Sequence, residues 1–440
     1  MKRHVLGWIV ILVLIPALAV LAAPNQYSRT WGNGIEARLN ALETRVSVLE
    51  AKLTTTTTTT QPTTTTTQTT TTTTAATTTT TASGYVPPVG VSVTPATFTA
   101  HMADPAGTVF ILEDGTYPVN NVTPKSEWQF WARNLHGATF EGGGVRQYAF
   151  PYFGTPTTII SGVEFHGLIV RGYVPTVTGH APIGSDVSGV GWVYADLIVE
   201  NNGRSGLKFG PNSIVRNVIG RNNGETGISS GAPQGSLVEG VELYGNGTAY
   251  PPGSWKTGTG STGGIKILFG SGAGFTVRNS SAHDNLGPGF WTDFVSVAAT
   301  FDGNTAVNND GPGFFLEASR PGPIIVRNCV ANGARAWHNI YISGSMLVTV
   351  EDCQVSGLGI MVSDDNTTDR SVTDALIRNN TISNLVPGSQ GAQSFRNIYD
   401  PARIQYRGNH YGPNPVFKWD GSLTWSQWQG VGQDLTGTAS

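Results

Sequence analysis

Two carboxylates stand at the same place in two similar segments of the chain. Asp293 ends the segment GFWTD and Glu317 ends the segment GFFLE, which is 317 − 293 = 24 residues later. If the two segments are neighbouring strands, the backbones of Asp293 and Glu317 lie about 4.8 Å apart. Carboxylates that close resist ionising together, which leaves one as an acid and the other as a base. Glycosidic cleavage uses such a pair.

The direction of the two side chains decides which reaction the pair could support. A carboxyl separation of about 5–5.5 Å suits retaining hydrolysis, and one of roughly 6.5–9.5 Å suits inversion. The pair could instead hold Ca²⁺, a hard cation that binds oxygen ligands. A third alternative is that both carboxylates only form surface ion pairs with Lys266 or Arg320, which would stabilise the protein little.

Lys266 and His283 complete the predicted catalytic set, which is Asp293, Glu317, Lys266 and His283. In a lyase, the lysine could neutralise the carboxylate of a uronate while the histidine takes the C5 proton. The residues therefore favour a polysaccharide lyase or a glycoside hydrolase and leave epimerase chemistry open.

A column of large side chains is predicted beside these groups. Side chains alternate across a strand, so the apolar positions between Leu207 and Ile360 that recur with the repeat are expected to point inward. The residues that follow them then point outward: Lys208, Lys266, Trp291, Phe315, Tyr341 and Met361. Exposed rings beside charged groups are typical of a ligand groove. The predicted substrate-binding residues are Trp291, Phe315, Tyr341 and Lys208.

The alternative for this column is that a loop packs over it and converts the rings into additional core. Two insertions could do so, 174–189 and 248–262. The same loops could form the walls of a groove and leave the rings free to stack on sugars. An open groove is the expectation, and a covered column is the competing interpretation.

A repeat in the sequence predicts the structure that positions these side chains. Polar turn residues recur with later intervals of 304 − 279 = 25, 328 − 304 = 24 and 352 − 328 = 24 residues. A period in the twenties without a helical pattern indicates a parallel β-helix, whose coils bury their apolar faces by stacking. At each turn the amide could bond to the coils above and below, which predicts an asparagine ladder. Its predicted members are Asn217, Asn279, Asn304, Asn328, Asp352 and Asn379.

With this repeat the chain resembles the right-handed parallel β-helix (PbH1-repeat) proteins of the pectate-lyase-like superfamily, from about Thr97 to the C-terminus. DGTY at 114–117 looks like the start of the first coil, and LTWSQW at 423–428 looks like a closing segment. The resemblance implies an all-β solenoid with its substrate face on one outer sheet. It also implies a polysaccharide or glycan partner, which such proteins cleave, epimerise or only bind.

The first 23 residues predict that the protein is located outside the cytoplasm. A basic start precedes an apolar run over 5–23, which is typical of an export signal and is also long enough to be a membrane anchor. Both interpretations predict an extracellular protein that is secreted or anchored at the cell surface.

Three further segments follow along the chain. Residues 24–53 include an a/d pattern over 35–53, which predicts a short coiled coil and a homo-dimer or homo-trimer. Residues 54–88 are rich in threonine and predict a disordered linker or stalk. Residues 89–440 form the predicted β-helix domain.

Charged residues make up 12% of the 440 and the net charge is −3, which suits a turn-rich β protein. No basic stripe is present, so nucleic acid is not an expected partner. Two functions from different classes remain: a surface-displayed enzyme that binds and cleaves polysaccharide, and a non-catalytic adhesin or receptor-binding spike that grips glycan.

The two cysteines, Cys329 and Cys353, are 353 − 329 = 24 residues apart. This interval places them on adjacent coils in one inward column. Cα atoms about 4.8 Å apart fall within disulfide limits, and an exported protein meets oxidants. The alternative is two buried thiols that pack as small apolar groups.

Overall fold

A computed structural model of the protein describes residues 84–153, 157–254, 261–335, 338–364, 371–383, 390–393 and 399–440. The predicted signal or anchor, the coiled coil and the threonine-rich linker up to residue 83 lie outside the described residues. Within them the chain is an all-β parallel β-helix, as predicted.

Three sheets form the sides of the solenoid, and the described residues give the first of them 13 strands. These strands are Val91–Val93, Val109–Leu112, Gln129–Ala132, Glu164–His166, Val193–Ala195, Ile214–Arg216, Leu237–Glu239, Phe275–Arg278, Ala299–Asp302, Ile324–Arg327, Met346–Glu351, Thr373–Arg378 and Ile404–Arg407.

The second sheet also has 13 strands among the described residues. These are Gly115–Tyr117, Ala138–Glu141, Ile169–Arg171, Ile198–Glu200, Ile219–Arg221, Glu242–Tyr244, Ser281–His283, Thr305–Val307, Val330–Asn332, Gln354–Ser356, Thr381–Ser383, His410–Tyr411 and Thr438–Ala439.

The third sheet has 12 strands over the same described ranges. These are Phe150–Tyr152, Ile183–Ser185, Leu207–Phe209, Thr226–Ser230, Gly263–Leu268, Phe290–Asp293, Phe314–Glu317, Ile340–Ser343, Ile360–Ser363, Gln390–Gln393, Phe417–Trp419 and Ser422–Leu423. Its last pair is antiparallel. A separate parallel pair joins Ile160–Ser161 to Gly189–Val190.

Strands of successive coils stack in register, so equivalent side chains form columns along the solenoid. The inward column of the third sheet is paired from Leu207 through to Ile360. Its members are at most 1% exposed. The predicted core column is therefore confirmed, and its burial on every coil supplies the stacking energy that holds the solenoid together. It comprises Leu207, Ile228, Ile265, Phe290, Phe314, Ile340 and Ile360.

An asparagine ladder runs along the corner between the second and third sheets. Each side-chain amide donates to the carbonyl oxygen of the next asparagine at 2.9–3.0 Å. The same oxygens accept bonds from backbone N–H groups, so the ladder satisfies donors that the turns leave buried. Its members are Asn202, Asn223, Asn246, Asn285 and Asn309.

The ladder is confirmed, but most of its predicted positions are wrong. Asn217, Asn279, Asn328 and Asn379 are exposed and have left-handed φ angles of 51–55°. They lie at the corner between the first and second sheets, where the residue after each one points inward instead. A second, shorter ladder at that corner joins Asn380, Asn409 and Asp434.

Both ends of the solenoid are covered. The helix α1, Phe98–His101, buries Phe98 against Tyr117 and Phe140 and so covers the first coil. The helix α2, Trp425–Gly430, begins with a capping box between Thr424 and Gln427. No helix in the described part of the chain has the length and apolar character needed to cross a membrane.

The cysteines occupy the inward column at the corner between the first and second sheets. Both are reduced and about 1% exposed. Cys329 Sγ donates to the carbonyl oxygen of Arg327, and Cys353 Sγ donates to that of Glu351. The structure therefore contains two buried thiols, which was the alternative to a disulfide.

Candidate functional site

One outward column of the third sheet contains Lys266 and the predicted substrate-binding residues in the predicted order. Lys208 pairs with Ser229, Ser229 pairs with Lys266, and the column continues through Trp291 to Met361. The Cα atom of Asp293 pairs with that of Glu317. The register that the 24-residue interval predicted is confirmed.

The aromatic part of this column is buried, which corrects the expectation of an open groove. Trp291 is 3% exposed, Phe315 is 6% exposed and Tyr341 is 7% exposed. They stack on one another with ring centroids 5.4–5.5 Å apart, and Met361 completes the cluster. Rings without exposed faces offer no platform to a sugar, so the covered-column alternative applies here.

Lys266 stands at the end of the aromatic cluster. Its Nζ atom lies 2.9 Å from Asp293 Oδ2 and 3.4 Å from the centre of the Trp291 ring. Both charged side chains are only slightly exposed, at 11% and 13%. Partial burial strengthens the ion pair and the cation–π contact, because little water screens them.

Glu317 is held by a different neighbour. Trp291 Nε1 donates a hydrogen bond to Glu317 Oε2 over 2.9 Å. The two carboxylates therefore stand side by side in the sheet but bind separate partners. The described residues contain no group of three or more His, Cys, Asp or Glu side chains that could hold a metal ion.

His283 does not join this set, which corrects its predicted role. It lies in the strand Ser281–His283 of the second sheet, on a different side of the solenoid from Lys266. Its ring stacks on Tyr244 with centroids 5.0 Å apart. Its nitrogens contact Asp284 at 2.9 Å and Glu242 at 3.3 Å. A proton acceptor for a substrate at Lys266 must come from elsewhere.

A pocket of about 310 Å³ opens on the third sheet beside the aromatic cluster. Its floor is Lys208, Ser229 and Lys266, which lie on three neighbouring strands. Ser229 is 4% exposed, and its hydroxyl has no hydrogen-bond partner within the described ranges. A buried hydroxyl in that state is the kind of group that a water molecule or a ligand satisfies.

Described residues of both insertions line the pocket. Thr178 and Gly179 come from the insertion 174–189, and Ser261 comes from the insertion 248–262. The loops thus border the lysine end of the column.

One buried carboxylate connects both insertions to the solenoid. Glu225 is fully buried and accepts a 2.7 Å bond from the Gly179 N–H and a 3.0 Å bond from the Tyr250 hydroxyl. Arg204 Nη1 lies 3.0 Å from its Oε1 atom. Burial raises the pKa of Glu225, against the lowering effect of these partners. Because both loops bind one rigid group, the pocket is formed before any ligand arrives.

Phe269 forms the lip of the pocket. It is 55% exposed and has a φ angle of 55°, a left-handed conformation that is uncommon for a bulky residue. The equivalent residues of the next two coils, Phe294 and Ala318, have φ angles of 56° and 48°, so this conformation belongs to the turn that ends these strands. An exposed ring beside polar groups can stack on the apolar face of a sugar.

Lys208 is paired like Lys266. Its Nζ atom lies 2.9 Å from Asp186 Oδ1, in the insertion 174–189, and 5.4 Å from the centre of the Phe153 ring. The two lysines of the site are therefore held in the same way, because each has a carboxylate on one side and an aromatic ring on another.

Sequence reasoning missed Ser229, Phe269 and Asp186. Ser229 had a usable signal, because it falls between Lys208 and Lys266 in the same outward column. Phe269 had a weaker signal as an apolar residue directly after a strand. Asp186 had none, because its approach to Lys208 depends on the path of a long insertion.

One family model and several solved structures resemble this chain. Residues 186–336 match the family described as "Right handed beta helix region". A search of curated proteins finds no match.

Solved structures share the fold. The mannuronan C-5 epimerase AlgE6 A-module of Azotobacter vinelandii is 15% identical with a TM-score of 0.50, covering 78% of this chain and 93% of its own. A mannuronic acid specific polysaccharide family 6 lyase from human gut microbiota is 12% identical with a TM-score of 0.50, covering 79% and 90%. XylC, in complex with xylose, is 12% identical with a TM-score of 0.54, covering 76% and 81%.

The three sheets, the ladder and these likenesses define the class. The chain is a right-handed parallel β-helix protein of the pectate-lyase-like architecture. At such low sequence identity the solved structures show the fold of this chain alone.

Proposed function

We propose that the protein binds a polysaccharide through the pocket on the third sheet. The observation that carries the proposal is the preformed cavity of about 310 Å³ with polar groups converging on its floor. Its volume is at the lower end of those of ligand pockets, which suits one or a few sugar units. Binding to a preformed site loses little free energy to ordering of the loops.

Phe269 supplies the apolar contact and the lysines supply the polar ones. Lys208 and Lys266 each have three ammonium donors, and each uses donors on a carboxylate while facing the cavity. Sugar hydroxyls can accept from the remaining donors, while the C–H face of the ring packs on Phe269. This combination of one ring and a few oriented polar groups is typical of saccharide sites.

The fold likenesses are consistent with this choice of ligand. Two of the similar structures are enzymes named for mannuronan or mannuronic acid, and the third is a complex with xylose. They support a saccharide as the class of ligand and do not indicate a particular sugar.

The test measures polysaccharide binding by the full chain and two variants. Phe269→Ala removes the lip of the pocket. Leu347→Ala is the matched control, because Leu347 is also exposed, at 43%, with a left-handed φ of 54°, but lies in the first sheet. We expect Phe269→Ala to weaken binding about threefold to tenfold, since ring stacking contributes roughly 0.5–1.5 kcal/mol. Equal binding by both variants would remove Phe269 from the site.

Cleavage is a second candidate function, favoured by the two neighbouring carboxylates Asp293 and Glu317 next to the pocket lysine. Unsaturated-product absorbance and reducing ends, measured separately, distinguish a lyase from a hydrolase. If turnover exists and needs this pair, Asp293→Asn and Glu317→Gln reduce it by about 10²-fold or more. Binding without turnover across a broad panel supports the adhesin or spike interpretation.

We also propose that the protein works outside the cell, displayed on a stalk. The proposal comes from the apolar run 5–23 and the threonine-rich residues 54–88. Protease treatment of intact cells tests it. Loss of the β-helix domain without lysis supports surface display, and full protection contradicts it.

A further inference from the structure

Each described charged side chain that lines the pocket is paired with a carboxylate. Of the described residues that line the cavity, the charged ones are Lys208 and Lys266. Asp186 lies 2.9 Å from the first and Asp293 lies 2.9 Å from the second. These four side chains are 11–19% exposed, so each lysine is balanced at short range in a place that water screens poorly.

Two described groups behind the walls bear on the charge of the pocket. Glu225, which holds Gly179 of the pocket wall, is itself paired with Arg204 at 3.0 Å. His180 stands next to Gly179, and burial together with nearby Lys208 lowers its pKa. The imidazole is therefore mostly uncharged near pH 7.

This balance decides which ligands the pocket favours. An anionic group that approaches Lys208 or Lys266 also approaches the carboxylate bound to it, so attraction and repulsion largely cancel. Displacing Asp186 or Asp293 would leave a poorly solvated carboxylate without its partner, which is unfavourable. A hydroxyl meets no such opposition, because it is uncharged and can accept a hydrogen bond from an ammonium group that stays paired with its carboxylate.

We infer that the pocket takes a neutral saccharide unit, whose ring carries hydroxyl groups and no carboxylate. The inference rests on the proposed function and names the class of its ligand. Ser229, Ser230, Ser261 and Thr178 add hydroxyl-bearing side chains to the same lining. The cavity is thus rich in groups that exchange hydrogen bonds with hydroxyls, and its fixed charges cancel.

The first experiment compares ligands that differ only in charge. Binding of the full chain is measured for neutral polysaccharides and for polyuronates, each polyuronate beside its carboxyl-reduced form. We expect binding to neutral or reduced polymers that changes less than about twofold between roughly 50 and 500 mM NaCl. Binding confined to polyuronates, and weakened by salt, overturns the neutral assignment and leaves the proposed function standing. Binding to no polymer of either kind overturns both.

The second experiment uses variants of the chain. Asp186→Asn combined with Asp293→Asn leaves the side-chain sizes almost unchanged and removes the charges that balance the lysines. We expect this variant to gain polyuronate binding, about tenfold or more at low salt, because two cations in a poorly screened cavity then attract a carboxylate.

The matched control is Asp302→Asn combined with Glu351→Gln. It removes the same charge from exposed ion pairs with Arg327 and Arg378 in the first sheet. Equal polyuronate binding by the two double variants, with both shown to be folded by circular dichroism, means that Asp186 and Asp293 do not set the ligand charge. That result would overturn the inference.

Discussion

Trp291 Nε1 donates a 2.9 Å hydrogen bond to Glu317 Oε2 on the next coil. The residue predicted to grip a sugar and the residue predicted to do chemistry therefore hold each other. The bond satisfies the only polar atom of an indole that is 3% exposed, and it orients the carboxylate along the sheet.

This bond predicts an energetic coupling between the two side chains. In a double-mutant cycle with Trp291→Phe and Glu317→Ala, we expect a coupling of about 1–2 kcal/mol, since a hydrogen bond to a partly exposed charged group contributes that much. Urea unfolding measures it. Pairing Trp291→Phe with Glu239→Ala, in the first sheet, should be additive within about 0.5 kcal/mol. Additive effects in the Trp291 and Glu317 cycle would contradict the bond.

Glu225 predicts a pH dependence. Burial raises its pKa above the ordinary value of 4.5, so the folded state favours the protonated acid. The stability this provides is complete below the unfolded pKa and is lost as the pH rises through the folded pKa. Relative to Glu225→Gln, which does not ionise, the protein should therefore lose stability as the pH rises above about 4.5.

Glu239 supplies a control of opposite sign for that measurement. The hydrogen bond from Arg278 lowers its pKa, so its contribution is present above the unfolded pKa and is lost as the pH falls. Relative to Glu239→Gln, the protein should gain stability as the pH rises toward about 4.5 and should stay level above it. Urea unfolding on both sides of pH 4.5 measures both differences, and the same pH profile for both carboxylates would be inconsistent with the buried state of Glu225.

The position of the asparagine ladder can be tested by two substitutions. Asn246→Ala removes a central rung and takes away the side-chain partner of the buried Asn223 backbone N–H and of the Gly220 carbonyl oxygen, so we expect a loss of roughly 2–4 kcal/mol. Asn217→Gly, at an exposed left-handed turn residue, should change the free energy of unfolding by less than about 0.5 kcal/mol. The reverse order would place the ladder at the predicted corner.

The cysteines predict a simple titration. Cys329 and Cys353 are buried, so the folded protein should react slowly with a thiol reagent, and the unfolded, unreduced protein should show two thiols. No thiols after unfolding would mean that Cys329 and Cys353 form a disulfide.

The sequence by itself determined the β-helix and the register of the third sheet. Alternation along a strand and an interval of 24 residues are local properties, so the pairing of Asp293 with Glu317 followed from spacing alone. The ladder was visible as a repeated asparagine, but its corner was not. The interval of 39 residues between Asn246 and Asn285 contains an insertion, which hides the true column.

Only the tertiary structure decided which outward side chains meet solvent. Trp291 lies in a strand of the third sheet and Phe269 directly follows another, yet Trp291 is 3% exposed and Phe269 is 55% exposed. The sheet to which His283 belongs depends on how the chain divides each coil into three sides. The burial of a side chain and the grouping of charges depend on contacts between residues far apart in sequence. The paths of the insertions determine those contacts, so a local sequence pattern cannot predict them.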